Sequence, residues 1–296
     1  MILTGCSGWS YTDWVDRFYP RELAGRHSEW LRYYAGYFAT TEVNSTFYSL
    51  PPKSMVDAWI SKTRDVERFE FSLKLPKSIT HEKLPGGDIE GVASDYLQFT
   101  QNCTKPLLDA GKLGAVLIQL PPQLGFSGES MTDLEKAFEI ISDGRTQFAV
   151  EFRNRGWLDT GGRELRAEAI ELLDSFGFCT VITDGPAFPS TTAMTADHAY
   201  LRFHGRNVDI WYTGADEDDS RINRYDYLYS RGELEGWASR IRSISELVGT
   251  ARIYFNNHGR AKAAKNALET MDLLGIGHPP KDIRILDQSK LGSFLE

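Results

Sequence analysis

The residues able to do chemistry recur at one kind of place, the C-terminal ends of short apolar runs. TTEVNSTF carries Glu42 and Asn44 two apart, with Thr46 in phase, and FEFSLKL carries Ser72 and Lys74. GAVLIQL places Gln119 near its end, before Pro121 and Pro122. QFAVEFR spaces Glu151 and Arg153 by two, and AYLRFHG does the same with Arg202 and His204. FCTVIT leads into Asp184, and ARIYFNN ends in Asn256 and Asn257 before His258. Residues two apart on a strand face the same side, so each pair shares a face. Glu42, Lys74, Glu151 and His204 have the side chains of proton donors, acceptors or nucleophiles. Arg153 and Arg202 can hold a carboxylate or a phosphate through paired N–H groups.

A single glutamate inside a strand is commonly the buried partner of a cation. Polar groups repeated at the ends of most of the strands are a different signal. Unpaired buried charge is costly, so these groups must pair with one another, with water or with a ligand. A ligand pocket is therefore expected, with a purely structural ion-pair network as the alternative. Its catalytic candidates are Glu42, Lys74, Glu151 and His204. Asn44, Gln119, Arg153, Asp184, Arg202, Asn256 and Asn257 are its binding candidates. Loop aromatics follow several runs: Trp9, Tyr11 and Trp14, then Phe47 and Tyr48, Trp157, and Trp211 with Tyr212. They could stack on a sugar or a base, Trp9 foremost, or simply pack the loops onto the rim, and Trp14 suits the core. After the last run comes NNHGRAKAAKNAL, where Gly259 precedes a helix start that favours an anion near Arg260. Lys262 and Lys265 read as a solvated basic helix face.

Elements must position these residues. The strand-like runs are ILTGC, TTEVNSTF (40–47), FEFSLKL, GAVLIQL, QFAVEFR, FCTVIT, AYLRFHG and ARIYFNN, short and apolar as strands buried on both faces should be. Helical patterns fill most of the gaps, among them HSEWLRYYAGYF, SMVDAWISKTR, DIEGVASDYLQFTQNC and AKAAKNALETMDLLG. Several stop at glycine. Eight strands alternating with helices predict an α/β fold, a parallel TIM-type (β/α) barrel in one domain over 1–296. DGPAFPSTTAMTADH, between the sixth and seventh runs, reads as a loop, so the sixth unit is expected to be irregular and helix-poor. An open doubly wound sheet is the structural alternative.

Composition narrows the function. Lys and Arg number 33 against 41 Asp and Glu, a net charge of −8, which disfavours a general nucleic-acid binder. Cys6, Cys103 and Cys179 lie far apart with no CxxC spacing, the pattern of free thiols in a reducing compartment. The start MILTGCSGW lacks a basic, then apolar leader, and no long apolar run occurs, so a cytoplasmic protein without membrane contact is expected.

Several stretches, taken in order, resemble the YecE-like family (domain of unknown function 72): GCSGWSYTDWVDRFYP, TTEVNSTFYSLPP, FSLKLPKSITH, LIQLPPQL, AVEFRNRGW, YLRFHG and IYFNNH. The resemblance covers nearly the whole chain. It implies a TIM-type barrel and carries no activity with it. It points to Glu42, Asn44, Lys74, His81, Glu151, Arg153, Arg202, His204 and Asn256, adding His81 to the strand-end residues. Cys6 stands where threonine is more usual in the family, and no catalytic role is read into it.

Three functions compete. The first is an enzyme that binds a small anionic or sugar-like molecule and works by acid/base chemistry. A two-carboxylate glycosidase through Glu42 and Glu151, or a Schiff base on Lys74, would be special cases. The second is a metal-dependent hydrolase or isomerase using Glu42, Glu151, Asp184, His81 and His204. Lys74, Arg153 and Arg202 at the same mouth oppose a metal, and no HExxH spacing occurs, so no metal or other cofactor is expected. The third is a non-catalytic module for an anionic ligand or single-stranded nucleic acid.

Overall fold

The computed structural model describes residues 1–208 and 225–285. Trp211 and Tyr212 lie outside the described residues. Eight strands form in chain order: β1 Ile2–Ser7, β2 Thr40–Val43, β3 Glu70–Lys74, β4 Leu113–Gln119, β5 Gln147–Glu151, β6 Cys179–Asp184, β7 His198–Phe203 and β8 Thr250–Phe255. Each pairs in parallel with its neighbour, and β8 pairs with β1 to close a barrel. Helices His27–Ala35, Lys53–Lys62, Ile89–Phe99, Gly128–Ile141, Ala167–Phe176, Arg231–Leu247 and Lys262–Leu274 return the chain between strands or follow the last one. The TIM-type architecture expected from the strand and helix periods is the one observed. Residues 185–197, between β6 and β7, form neither helix nor strand. Thr195 pins that segment, its Oγ1 donating to the Phe178 carbonyl at 2.7 Å and accepting from the Thr180 N–H at 3.0 Å.

Two-residue alternation sorts the strand side chains into two layers. Val116, Ile118, Phe148, Val150, Leu201, Phe203, Ile253 and Phe255 meet the helices. Ala115, Leu117, Ala149, Cys179, Val181, Tyr200 and Tyr254 fill the barrel interior. Small and large residues interdigitate there, as a closed eight-strand barrel requires. Below them, at the N-terminal end, Arg252 bonds Glu70 at 2.6 and 3.2 Å and Gln147 at 2.7 Å. The Tyr254 hydroxyl bridges Thr40 and Ser72 at 2.6 and 2.8 Å.

The second strand is shorter than the run 40–47 suggests. It stops at Val43, and Ser45–Tyr48 is a single helical turn. The Thr46 hydroxyl lies 3.0 Å from the Val43 carbonyl and 2.6 Å from that of Lys74. Side-chain bonds of this kind offer the backbone a turn in place of a ladder. The helical pattern 88–103 likewise stops at Phe99, where a π-helical segment, Thr100–Thr104, takes over. The helices Ala167–Phe176 and Lys262–Leu274 end on left-handed Gly177 and Gly275, a conformation glycine adopts without steric cost. All three cysteines are free and buried, and burial pushes their thiols up, Cys103 and Cys179 to about 12. Among the described residues no helix is long and apolar enough to cross a membrane.

Candidate functional site

Arg202 is the hub of the upper barrel. Its Nη2 donates to Glu42 Oε1 at 2.8 Å, and its Nη1 to Glu151 Oε2. The other Glu42 oxygen accepts from the Tyr200 hydroxyl at 2.7 Å. Glu151 Oε1 accepts from Gln119 Nε2 at 2.8 Å and from Arg153 Nε at 2.6 Å. Three of these side chains are essentially sealed from water, with Glu42 0%, Glu151 1% and Arg202 2% exposed. Burial opposes ionisation of Glu151. The guanidinium groups of Arg153 and Arg202 outweigh it and hold the carboxyl well below the usual range. Burial also works against the Arg202 charge, and Glu151 and Glu42 in turn push its pKa above the ordinary value. One guanidinium thus holds both buried carboxylates, and neither has the solvated setting of a glycosidase nucleophile.

Lys74 sits differently. Its Nζ donates to the amide oxygen of Gln119 at 2.7 Å and lies 3.6 Å from the centre of the Phe47 ring. Among the described residues no carboxylate forms an ion pair with it. Burial, then Arg202 and Arg153, lower its pKa to about 7 despite the pull of Glu151. Gln119 therefore links the lysine to the carboxylate network through a neutral amide. His81 is held at about 4, first by burial and then by Lys74 and Arg153, so its ring is neutral at pH 7. Burial and Arg202 also keep His204 well below its usual value. The Asn256 amide donates to His204 Nδ1 at 3.1 Å, which leaves the ring proton on Nε2, 3.9 Å from Glu151 Oε1.

These groups floor a cavity of about 480 Å³ at the C-terminal mouth. Asn44, Lys74, His81, Gln119, Arg153, Arg202 and Asn256 line it, while Glu42, Glu151 and His204 lie in the network with Arg202. No carboxylate is among its described lining residues. Asn44 Oδ1 and Arg202 Nε are buried with no hydrogen-bond partner among the described residues. Trp9 lines a second cavity, of about 410 Å³, with Trp59 and Met55, and Tyr11 and Asn44 form walls of both.

Besides Trp9, two expected site residues do not join the cluster. Asp184 points to the helix layer, where it accepts from Arg206 at 2.8 and 2.5 Å and from the Trp237 indole. Thr183 takes its place beside Glu151, Arg153 and His204. Asn257 donates outward to the Tyr227 carbonyl and to Asn266 Oδ1, at 2.8 and 2.9 Å. The helix start after β8 holds the protein's own anions rather than open N–H groups. Asp13 accepts from the Arg260 N–H at 2.6 Å, and Asp226 pairs with the Arg260 guanidinium and with Lys262 at 2.8 Å. Lys262 is consequently buried, not solvated. Trp14 and Trp157 are core residues, with indole N–H groups on the His258 and Leu124 carbonyls. Among the described residues no three His, Cys, Asp or Glu side chains gather as a metal site. Tyr200, Lys77 and Trp59 were not among the sequence candidates. Tyr200 had a signal, standing two residues before Arg202 and so on its face.

The closed parallel barrel with a polar C-terminal mouth defines the class: a TIM-type (β/α) protein. The chain belongs to the family described as protein of unknown function DUF72, whose model matches residues 3–286. This is the family its motifs resemble. It is 27% identical over 293 residues to the UPF0759 protein YunF of Bacillus subtilis (strain 168), covering 97% of this chain and 99% of that one. A DUF72 protein of Thermotoga maritima MSB8 has a crystal structure that matches with a TM-score of 0.77 at 32% identity, covering 93% of this chain and 99% of the other. Another, from Enterococcus faecalis V583, matches in fold at 0.76 and 24% identity, over 97% and 100% of the two chains.

Proposed function

We propose that the mouth of the barrel is the site of an enzyme that binds a small anionic molecule and moves protons through Lys74. The observation that carries this reading is the split in roles among the buried charges. Glu42 and Glu151 are engaged with Arg202, whereas Lys74 lines the cavity and, among the described residues, has only a neutral amide as hydrogen-bond partner. An amine near pH 7 can accept and return a proton at working pH, the condition for efficient general acid–base catalysis. Arg153 supplies the anion-binding element. It contacts Glu151 through Nε and Nη2, and a guanidinium has five N–H donors, so donors remain for a ligand in the cavity it lines. Asn44 Oδ1 and Arg202 Nε, without partners among the described residues, are further groups a ligand could satisfy.

Thermal unfolding in malonate or orthophosphate tests the anion site. An anion present at ~100 times its Kd stabilises by about 2.7 kcal/mol, a rise of several degrees in Tm. The rise is expected for the native chain and is lost in Arg153→Ala. No rise with either anion in the native chain would overturn the reading.

A further inference from the structure

We propose that Lys74 condenses with the carbonyl group of a small carboxylate-bearing aldehyde or ketone, such as a 2-oxo acid, to form an imine on the protein. This rests on the anion-binding reading above and names its substrate class. The geometry is that of an amine nucleophile. A neutral Lys74 can give one N–H to Gln119 Oε1, 2.7 Å away, and keep its lone pair for another partner. No carboxylate among the described residues fixes the lysine as an ammonium ion. The Phe47 face at 3.6 Å favours the cation, but burial and the neighbouring guanidinium groups oppose it more strongly. Arg153 lines the same cavity, where it can hold the substrate carboxylate while the adjoining carbonyl meets the amine.

The step balances without any further reactant. The nitrogen lone pair attacks the carbonyl carbon, and the C=O π pair moves to oxygen. Oxygen takes a proton and nitrogen loses one, giving a carbinolamine. Its hydroxyl then takes a proton from solvent and leaves as water while the nitrogen lone pair forms the C=N bond, giving a protonated imine that returns one proton to solvent. His81 lines the same cavity and is neutral at pH 7, so it adds no charge beside the amine, and protons exchange with solvent in the open cavity. The imine draws electrons from the adjacent carbon, which is the chemical use of such an intermediate.

The test incubates the full chain with pyruvate and sodium cyanoborohydride at pH 7, followed by peptide mass mapping. The expected result is one added group, the mass of pyruvic acid less one oxygen atom, on Lys74. An ordinary lysine has a pKa near ~10.4 and is less than about 0.1% neutral at pH 7, so labelling of Lys74 should outpace surface lysines by at least about tenfold. Malonate, which has no reactive ketone or aldehyde, should protect it. Labelling absent from Lys74 while malonate still raises Tm would overturn the imine and leave the anion site standing. Absence of both would overturn both. Lys74→Met should lose the label, and mapping of the native chain decides the matter even if that variant fails to fold.

Discussion

Lys74 is buried in a setting that disfavours its charge, and this has a consequence for stability that needs no substrate. Its pKa is about 7 in the folded chain against 10.5 ordinarily, with burial the largest cause. Between these two values the unfolded chain holds a proton that the folded chain lacks. Stability therefore rises with pH across that window, as linkage requires wherever the unfolded state binds more protons. Below about pH 7 both states are protonated, and the penalty for burying the ammonium is full and constant. Lys74→Met removes the penalty. The variant should exceed the native chain in stability most at pH 6, with the excess shrinking as pH climbs from about 7 toward 10.5. Urea unfolding of both proteins at pH 6 and pH 9 measures this. An excess of the same size at both values would mean that the lysine titrates normally, and with it the case for an available amine at neutral pH would fall.

Strands place these side chains, and β1 and β2 approach each other closely at Gly5. A Cβ on Gly5 of β1 would stand 2.0 Å from the Thr40 carbonyl oxygen of β2 and 2.9 Å from the Tyr34 hydroxyl. The first of these is backbone and cannot swing away. Gly5→Ala should therefore cost at least about 1–3 kcal/mol through overpacking, read as a lower Tm, and an unchanged Tm would show that β1 and β2 can separate freely. The same strand geometry explains what was legible in the sequence. The two-residue period placed Lys74, Glu151 and Arg202 in one contact network because each lies inside a run long enough to set its phase. Asp184 failed because it was read as the end of a strand, not by phase. Cys179 and Val181 face inward, which makes Thr183 the next inward residue and turns Asp184 out. Asn256 and Asn257 are adjacent, so only one of them can face the mouth. The turn at Asn44 was invisible because Thr46 makes it through a carbonyl on a distant strand, that of Lys74. The anion-like helix start after β8 looked open because Asp13, which fills it, lies 247 residues away.

Among the described residues the barrel interior carries an ion cluster at each end, separated by the Tyr200–Tyr254 pair and the small residues packed around it. In barrels of this class the C-terminal face serves function and the N-terminal face serves stability. The two clusters differ in the way that division demands. Arg252 at the N-terminal end satisfies a glutamate whose side chain is 15% exposed, and it does not line the mouth cavity. Arg202 at the C-terminal end satisfies two carboxylates, each at most 2% exposed, and lines that cavity. Among the described residues, Arg202→Met leaves Glu42 with the Tyr200 hydroxyl and Glu151 with Gln119 and Arg153. Breaking a buried pair from one side typically costs about 3–5 kcal/mol, and this variant should show a loss of that order in urea unfolding. It should also lose stabilisation by malonate. Arg252→Met leaves a partly solvated Glu70, so it should lose less stability and keep the full malonate effect. The comparison turns on that second readout. If Arg252→Met abolished the malonate effect as Arg202→Met does, the two ends of the barrel would be one coupled network, and the cavity could not be treated as a site separate from its scaffold. If it keeps the effect, the tyrosine layer insulates the mouth from the N-terminal cluster, and changes at the mouth report on ligand chemistry rather than on the fold.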